Sequence, residues 1–139
     1  MSSNKLRLGL IGGGANSFIG IAHRVAAHSG EQYSLVGGAF GSDHRQSKEF
    51  ARQLDLDESR TYADVESFIE RELLLPESQR IEVVSVLTPN FLHYPVAKKL
   101  IEAGFNIICE KPMTFTVEQA ENLAALIAEK SLIFCVTHT

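Results

Sequence analysis

Short apolar runs rich in β-branched residues alternate along this chain with segments whose apolar residues recur at helical spacing. Strands are predicted over residues 6–11, 33–40, 81–87, 105–109 and 132–136, with a very short one at Thr61-Tyr62. Helices are predicted from 18 to about 28, over 43–54, from 64 to just before Pro76, from the Asn90 turn to Gly104, and over 116–130. Parallel strands cannot be joined by tight hairpins and need long crossovers, which the helices supply. The alternation therefore implies a parallel sheet covered by helices on both faces. With 139 residues, 45% of them hydrophobic, the chain can fill one core and not two. The predicted fold class is α/β, a doubly wound parallel sheet forming one domain over 1–139.

The boundaries carry their own chemistry. Asp43, Asp64 and Thr116 are predicted N-caps, and Gln119 completes a capping box with Thr116. Gly104 is predicted to close its helix in the left-handed conformation. Phe18, Ile19, Ala22, Val25 and Ala26 mark the periodic face of the first helix. Gly37 and Gly38 interrupt the second strand, a sign that another backbone or a ligand comes close there.

Composition excludes several classes of function. Thirteen basic against seventeen acidic residues leave a net charge of −4, with no basic footprint for nucleic acid. No apolar run is long enough to span a bilayer, and the N-terminus lacks the pattern of a signal peptide. Cys109 and Cys135 both fall in strand-like runs and read as reduced core thiols of a cytoplasmic protein. Neither lies in metal-ligand spacing, so no metal site is expected. The chain stops at Val136-Thr137-His138-Thr139, directly after its last strand. It is expected to be the first domain of a longer protein, with the substrate domain beyond it.

Gly12-Gly13-Gly14 stands between the first strand and the first helix. A dinucleotide fold needs glycines there, for a tight turn and for close approach of a pyrophosphate to backbone N–H groups at a helix start. Gly12 and Gly14 match the G-x-G-x-x-G spacing, with Ser17 in the third glycine's place. Ser17 could cap the helix or meet a phosphate. The end of the second strand reports the nucleotide: an acid takes the ribose hydroxyls of NAD, whereas a small residue with Arg nearby accommodates a 2′-phosphate. Here Gly41 replaces the acid, with Ser42 and Arg45 behind it, which tilts the choice toward NADP. Asp43 blurs it, because a small slip in register would restore an acid.

Two further loops leave the sheet at its carboxyl edge, where open α/β sheets bind ligands. Thr88-Pro89-Asn90-Phe91-Leu92-His93 follows one strand. Thr88 and Asn90 can hydrogen-bond a cofactor, although on composition alone a turn and helix cap is the favoured reading, and a lone His93 in the first helical turn is likewise more often structural than catalytic. Glu110-Lys111-Pro112 follows the next strand. Proline restricts the residue before it to extended conformations, so Lys111 is expected to point out of the sheet. An ammonium there could orient a hydroxyl or stabilise a developing oxyanion beside a nicotinamide. Glu110 is expected to pair with Lys111 or with nearby backbone.

With GLIGGG at 9–14, TPNFLH at 88–93 and EKPMTFTVEQA at 110–120, the chain resembles the glucose–fructose oxidoreductase and inositol dehydrogenase (Gfo/Idh/MocA) family over nearly its whole length. The resemblance implies an N-terminal Rossmann domain followed by a domain built on a large antiparallel sheet. It implies hydride transfer between NAD or NADP and a hydroxyl carbon of a sugar, cyclitol or related polyol. By that likeness Gly12, Gly14, Ala15, Asn16, Ser17 and Phe18 line the pyrophosphate, and Ser42 and Arg45 face the adenosine ribose. Thr88, Asn90 and His93 face the second ribose, and Glu110 and Lys111 lie at the nicotinamide, with Lys111 as the catalytic residue. The family's remaining acid/base residues lie in the second domain, outside this chain. Expected partners are a dinucleotide and a sugar or polyol substrate, with no nucleic acid and no membrane; homo-oligomer formation is left open.

Two other classes stay in view. A non-catalytic dinucleotide sensor could use the same fold. A methyltransferase also uses glycine-rich turns, but it would leave the Glu110-Lys111-Pro112 loop without a purpose.

Overall fold

The computed structural model describes residues 4–139. Its strands are β1 (Leu6–Gly12), β2 (Tyr33–Ala39), β3 (Val83–Leu87), β4 (Asn106–Glu110) and β5 (Phe134–Thr137). Its helices are α1 (Phe18–Ser29), α2 (His44–Gln53), α3 (Val65–Leu73), α4 (His93–Glu102) and α5 (Val117–Lys130). Single 3₁₀ turns cover Glu58–Arg60 and Asn90–Leu92. The strands form one parallel sheet in the order β2-β1-β3-β4-β5. This is the Rossmann arrangement of strands and flanking helices. The chain winds one way from β1 to β2, then crosses back to β3 on the other side. The crevice at that reversal, between the carboxyl ends of β1 and β3, is where such sheets take ligands.

Winding in two directions also sorts the core. Leu8, Leu10, Phe40 and Val83 meet Phe50 and Ala51 of α2 on one face, with Ile19 and Ala27 of α1 packed alongside. Ile11, Val84, Val86, Ile107 and Cys109 meet Phe68 of α3, Leu100 and Ile101 of α4, and Leu123 of α5 on the other. All five residues of β3 are buried, as expected of a central parallel strand.

The predicted caps form. Asp43 accepts from the N–H groups of Arg45 and Gln46, and Asp64 and Ser67 make a reciprocal capping box. Gly104 has φ +96°. At α5, Thr116 accepts from Gln119 N, but the Gln119 carboxamide oxygen accepts from Phe115 N, one residue before the expected donor. Thr61 makes only an isolated bridge to Gly38, so the expected short strand is a single parallel contact. The close backbone at Gly37 is identified as well: a Cβ there would lie 2.1 Å from the Arg60 carbonyl oxygen. Two expectations about burial fail. Phe18 and Val25 are exposed, because α1 seats on the sheet through Ile19, Gly20 and Ala27. Cys135 is exposed on the edge strand β5, whereas Cys109 is fully buried.

One shift in register matters for the site. The strand predicted to end at Cys109 continues through Glu110, which is therefore carried into the sheet and buried.

A second buried acid secures the far side. Glu72 is wholly inaccessible and accepts from Arg60 Nε (2.8 Å), Arg60 Nη2 (2.7 Å), Ile81 N (2.8 Å) and the Tyr62 hydroxyl. Burial, together with the Glu72 carboxylate, pushes the Tyr62 phenol up to about 12. Saturated with donors, this carboxylate ties α3 to the Arg60-Thr61-Tyr62 segment and to the entry of β3. Removing one partner of a buried pair leaves the other charge uncompensated. Glu72→Gln should therefore cost about 3 kcal/mol or more of stability, read from urea unfolding midpoints at unchanged slope.

Candidate functional site

The site starts with what glycine permits. Gly12, the last residue of β1, has φ +83°, and a Cβ there would lie 2.7 Å from both the carbonyl carbon and oxygen of Leu87 at the end of β3. The chain can turn out of the sheet against β3 only because that atom is missing. The loop then runs back under α1. Gly20, in the first turn of α1, meets it so closely that a Cβ would stand 2.4 Å from the Gly13 carbonyl oxygen. Ser17 does not fill the third glycine's role. Its hydroxyl caps α1, accepting from Gly20 N at 3.0 Å, and Gly20 makes the close packing three residues later.

Arg24 locks the loop from behind, donating to the Gly13 carbonyl at 3.0 Å while its guanidinium lies 4.9 Å from the centre of the Phe50 ring. The leading N–H groups of α1 have no acceptor within the helix, and the positive end of its dipole faces the crevice.

In front of this loop lies an open cleft of about 760 Å³ at the reversal between β1 and β3. Of the residues singled out in the sequence, Gly12, Gly14, Ala15, Asn16, Ser17, Ser42 and Thr88 line it. Gly41, Asp43, Asp64 and Lys99 line the same cleft. The carboxylates of Asp43 and Asp64 are committed to capping α2 and α3, and Lys99 pairs with Glu66. Phe18, Arg45, Asn90, His93, Glu110 and Lys111 are not among its walls. Phe18, Arg45, Asn90 and Lys111 are exposed.

His93 is buried. Its Nδ1 lies 2.7 Å from the Pro112 carbonyl oxygen and its Nε2 3.0 Å from the Thr88 carbonyl oxygen. A neutral imidazole donates to one of these and an imidazolium to both. The ring thus clasps the two loops that leave β3 and β4, and those strands run in register, Val86 opposite Cys109. Lys111 emerges directly beyond, at a cis bond to Pro112.

Glu110 does not pair with the Lys111 ammonium. Its Oε1 accepts from His23 Nε2 of α1 (2.9 Å) and from the hydroxyls of Thr137 (2.7 Å) and Thr139 (3.2 Å). Its Oε2 accepts from the Thr139 hydroxyl (3.0 Å) and the Lys111 N–H (3.3 Å). Burial alone would raise this carboxyl above its ordinary value. The donors from His23, Thr137 and Thr139 outweigh burial and hold it below.

These residues fit a dinucleotide. A cradle with no Cβ atoms faces a helix N-terminus, and the buried Thr88 hydroxyl oxygen has no hydrogen-bond partner among the described residues. Among the described residues no group of three or more His, Cys, Asp or Glu side chains could hold a metal ion.

Residues 6–138 match the family model for GFO_IDH_MocA oxidoreductases, described as an NAD-binding Rossmann fold. The chain belongs to that family. An inositol dehydrogenase homolog from Azotobacter vinelandii, solved with NADH and myo-inositol, superposes at a TM-score of 0.92 with 38% identity, over 97% of this chain and 35% of that one. An oxidoreductase from Pseudomonas syringae superposes at 0.91 with 43% identity, over 96% and 36%. The Bacillus subtilis oxidoreductase YfiI is 36% identical over 137 residues, which are 98% of this chain and 34% of YfiI. The chain thus spans about a third of the length of the Gfo/Idh/MocA relatives it matches.

Sequence reading passed over Gly20 behind the glycine loop, His23 beside Glu110 and Lys99 at the cleft wall of this Gfo/Idh/MocA domain. Gly20 had a signal, since a glycine in a helix interior costs stability unless a close approach requires it. His23 had a weaker one, a polar ring between apolar positions of α1. Lys99 had none, because its place depends on how α4 lies against the cleft.

The Gly20 contact is open to test. Gly20→Ala should push the Gly13 carbonyl forward and weaken dinucleotide binding by about tenfold, a common cost of overpacking. Calorimetric titration reads the affinity, and an unchanged far-ultraviolet circular dichroism spectrum shows that the sheet survives.

Proposed function

We propose that this chain is the dinucleotide-binding domain of an oxidoreductase that transfers hydride between a nicotinamide cofactor and a hydroxyl carbon of a sugar, cyclitol or related polyol. The observation that carries this reading is the clasp of His93 on the Thr88 and Pro112 carbonyls. It sets Lys111 at the carboxyl edge of β4, beside the strand whose end forms the cleft. A sensor needs the glycine cradle but gains nothing from holding a lysine there.

The residues divide the work along the cleft. Backbone N–H groups of Gly14, Ala15 and Asn16 receive the pyrophosphate, aided by the α1 dipole; Ser17, whose N–H is given to the Gly14 carbonyl, borders them as the helix cap, and Phe18 shields the outer side. Ser42 meets the adenosine ribose, with Arg45 in reach of the same end. Thr88 offers its unpartnered hydroxyl oxygen to the second ribose, Asn90 stands at the rim of that loop, and His93 holds it in place. When bound, the cofactor supplies the hydride donor or acceptor. Lys111 extends beyond Pro112 to hydrogen-bond the substrate hydroxyl and to stabilise negative charge developing on its oxygen. The residue that takes the hydroxyl proton, and the walls that select the substrate, would come from a second domain beyond Thr139. A reducing, cytoplasmic setting agrees with two unpaired thiols at Cys109 and Cys135. No helix among the described residues is long and apolar enough to cross a membrane.

The test of Lys111 is kinetic. In the protein with its substrate domain, Lys111→Ala should lower kcat by about two orders of magnitude at unchanged melting temperature, the scale of losing one preorganised transition-state donor. Wild-type kcat in that variant would remove Lys111 from the chemistry.

Nucleotide choice rests on the end of β2. With the Asp43 carboxylate bound to two backbone N–H groups and Gly41 in the acid's position, the adenosine end leaves space for a 2′-phosphate. A side chain at 41 has room, since a Cβ there would meet only Ser47 Oγ, at 4.0 Å. Gly41→Asp should therefore weaken NADP by about tenfold or more through like-charge repulsion while sparing NAD. Parallel titrations with the two nucleotides check this, and equal losses for both would count against it.

A further inference from the structure

The pair of His23 and Glu110 has no part in holding the cleft open, yet it sits between the helix that faces the pyrophosphate and the lysine that faces the substrate. Both side chains are nearly inaccessible, 9% and 8% exposed, at a separation of 2.9 Å. Successive side chains leave a strand on opposite faces, so the Lys111 ammonium would meet this carboxylate only by folding back. Here it does not. Each Glu110 oxygen already accepts from more than one donor, with His23 and Thr137 the shortest contacts on Oε1. Among the described residues no ion pair involves Lys111.

We infer that His23 is a positioning residue for Lys111: by occupying the Glu110 carboxylate from α1, it keeps that carboxylate off the lysine ammonium and leaves the ammonium for the substrate. The inference rests on the reading of Lys111 as the group that meets the substrate hydroxyl. Geometry alone gives the direction of the effect. Glu110 is the last residue of β4 and Lys111 the next, so the acid is anchored in the sheet while the lysine stem is free to swing. Without the imidazole the buried carboxylate lacks one donor, and the adjacent Lys111 ammonium, in no ion pair among the described residues, can fold back to supply one, since a buried charge takes a partner where one can reach. Drawn back to Glu110, the ammonium is withdrawn from the carboxyl edge of the sheet.

The contact has a second consequence. His23 lies on the same helix as Ser17 and Gly20, whose positions depend on the glycine loop. The dinucleotide cradle and the lysine are thus held to one another through a single hydrogen bond, and not only through the sheet.

The experiment reads the lysine directly, without cofactor or substrate. The protein is treated with a limiting amine-acylating reagent, and modification of Lys111 is followed by peptide mass spectrometry against the exposed Lys130 as internal reference. In His23→Leu, Lys111 acylation should fall by about fivefold, the scale of one partly exposed ion pair. His23→Gln, which keeps an N–H donor, should hold it near the wild-type rate. The double variant His23→Leu/Glu110→Gln should restore it, since the neutral amide no longer draws the ammonium. Thr137→Val removes only one hydroxyl from the same oxygen and should move the rate in the same direction by less, which keeps the inference testable if His23→Leu fails to fold. With substrate, kcat should fall in His23→Leu at unchanged dinucleotide affinity.

Equal Lys111 acylation in wild type, His23→Leu and Thr137→Val would overturn the inference. So would a fall in His23→Leu that Glu110→Gln does not reverse. If acylation shifts as expected but no polyol substrate is turned over by wild type, the positioning holds and the proposed reaction fails.

Discussion

Only a hydrogen can stand at Gly20 where a Cβ would lie 2.4 Å from the Gly13 carbonyl oxygen, and the crevice exists because of it. A parallel sheet gathers the ends of its strands along one edge, but an edge is not a binding site. It becomes one where the chain leaves β1 without rising above β3 and where the next helix starts close enough to aim its N–H groups at the same space. Gly12 meets the first condition against Leu87, and Gly20 the second against Gly13. Arg24 then fixes the loop by taking the Gly13 carbonyl, so that carbonyl is committed to the helix side. The cleft is a consequence of backbone packing before it is a feature of side-chain chemistry.

Two buried acids show how the same physical demand leads to different roles. Glu72 and Glu110 are each removed from water and each saturated with donors. Glu72 gathers Arg60, Tyr62 and the Ile81 N–H from the interior and the base of the sheet, far from the cleft. Its partners satisfy one another, and the result is a brace. Glu110 stands at the carboxyl edge and draws its donors from α1, from the chain leaving β5 and from the backbone of Lys111. Those elements are the ones whose relative placement a reaction at this edge would need. Burial makes both acids demanding, and location decides what the demand accomplishes.

The sequence made the architecture legible because periodicity and caps are local. Asp43, Asp64 and Thr116 begin their helices as read, and the alternation of elements leads directly to the parallel sheet. Much of the glycine-loop side of the site was legible for the same reason: Gly12, Gly14, Ser42 and Thr88 sit at element ends that a pattern can locate. What was not legible depends on contacts between elements far apart in the chain. The partner of Glu110 is 87 residues away, and a strand end misplaced by one residue turned a buried acid into an apparent companion of Lys111. His93 read as structural on its own and as facing the second ribose by likeness, and neither reading could locate the two carbonyls that only the pairing of β3 with β4 brings within 3.0 Å of its ring. The apolar face of α1 misled for a complementary reason. Helical spacing identifies a stripe without saying what it covers, and here Phe18 and Val25 face outward.

The clasp and the pair together explain how a lysine can be both exposed and well placed. A long flexible side chain loses much entropy when fixed, and an exposed ammonium is strongly hydrated, so neither gives a defined position by itself. The protein instead fixes what surrounds the lysine. His93 holds the backbone after it through the Pro112 carbonyl and ties that segment to the loop beside the cleft. His23 occupies the acid before it, from the helix that begins at the glycine loop. The residues on either side are thus restrained and the neighbouring carboxylate is engaged, while the lysine stem itself stays free. Placement of this kind costs the lysine little rotamer freedom, and it leaves the charge free of an ion pair among the described residues.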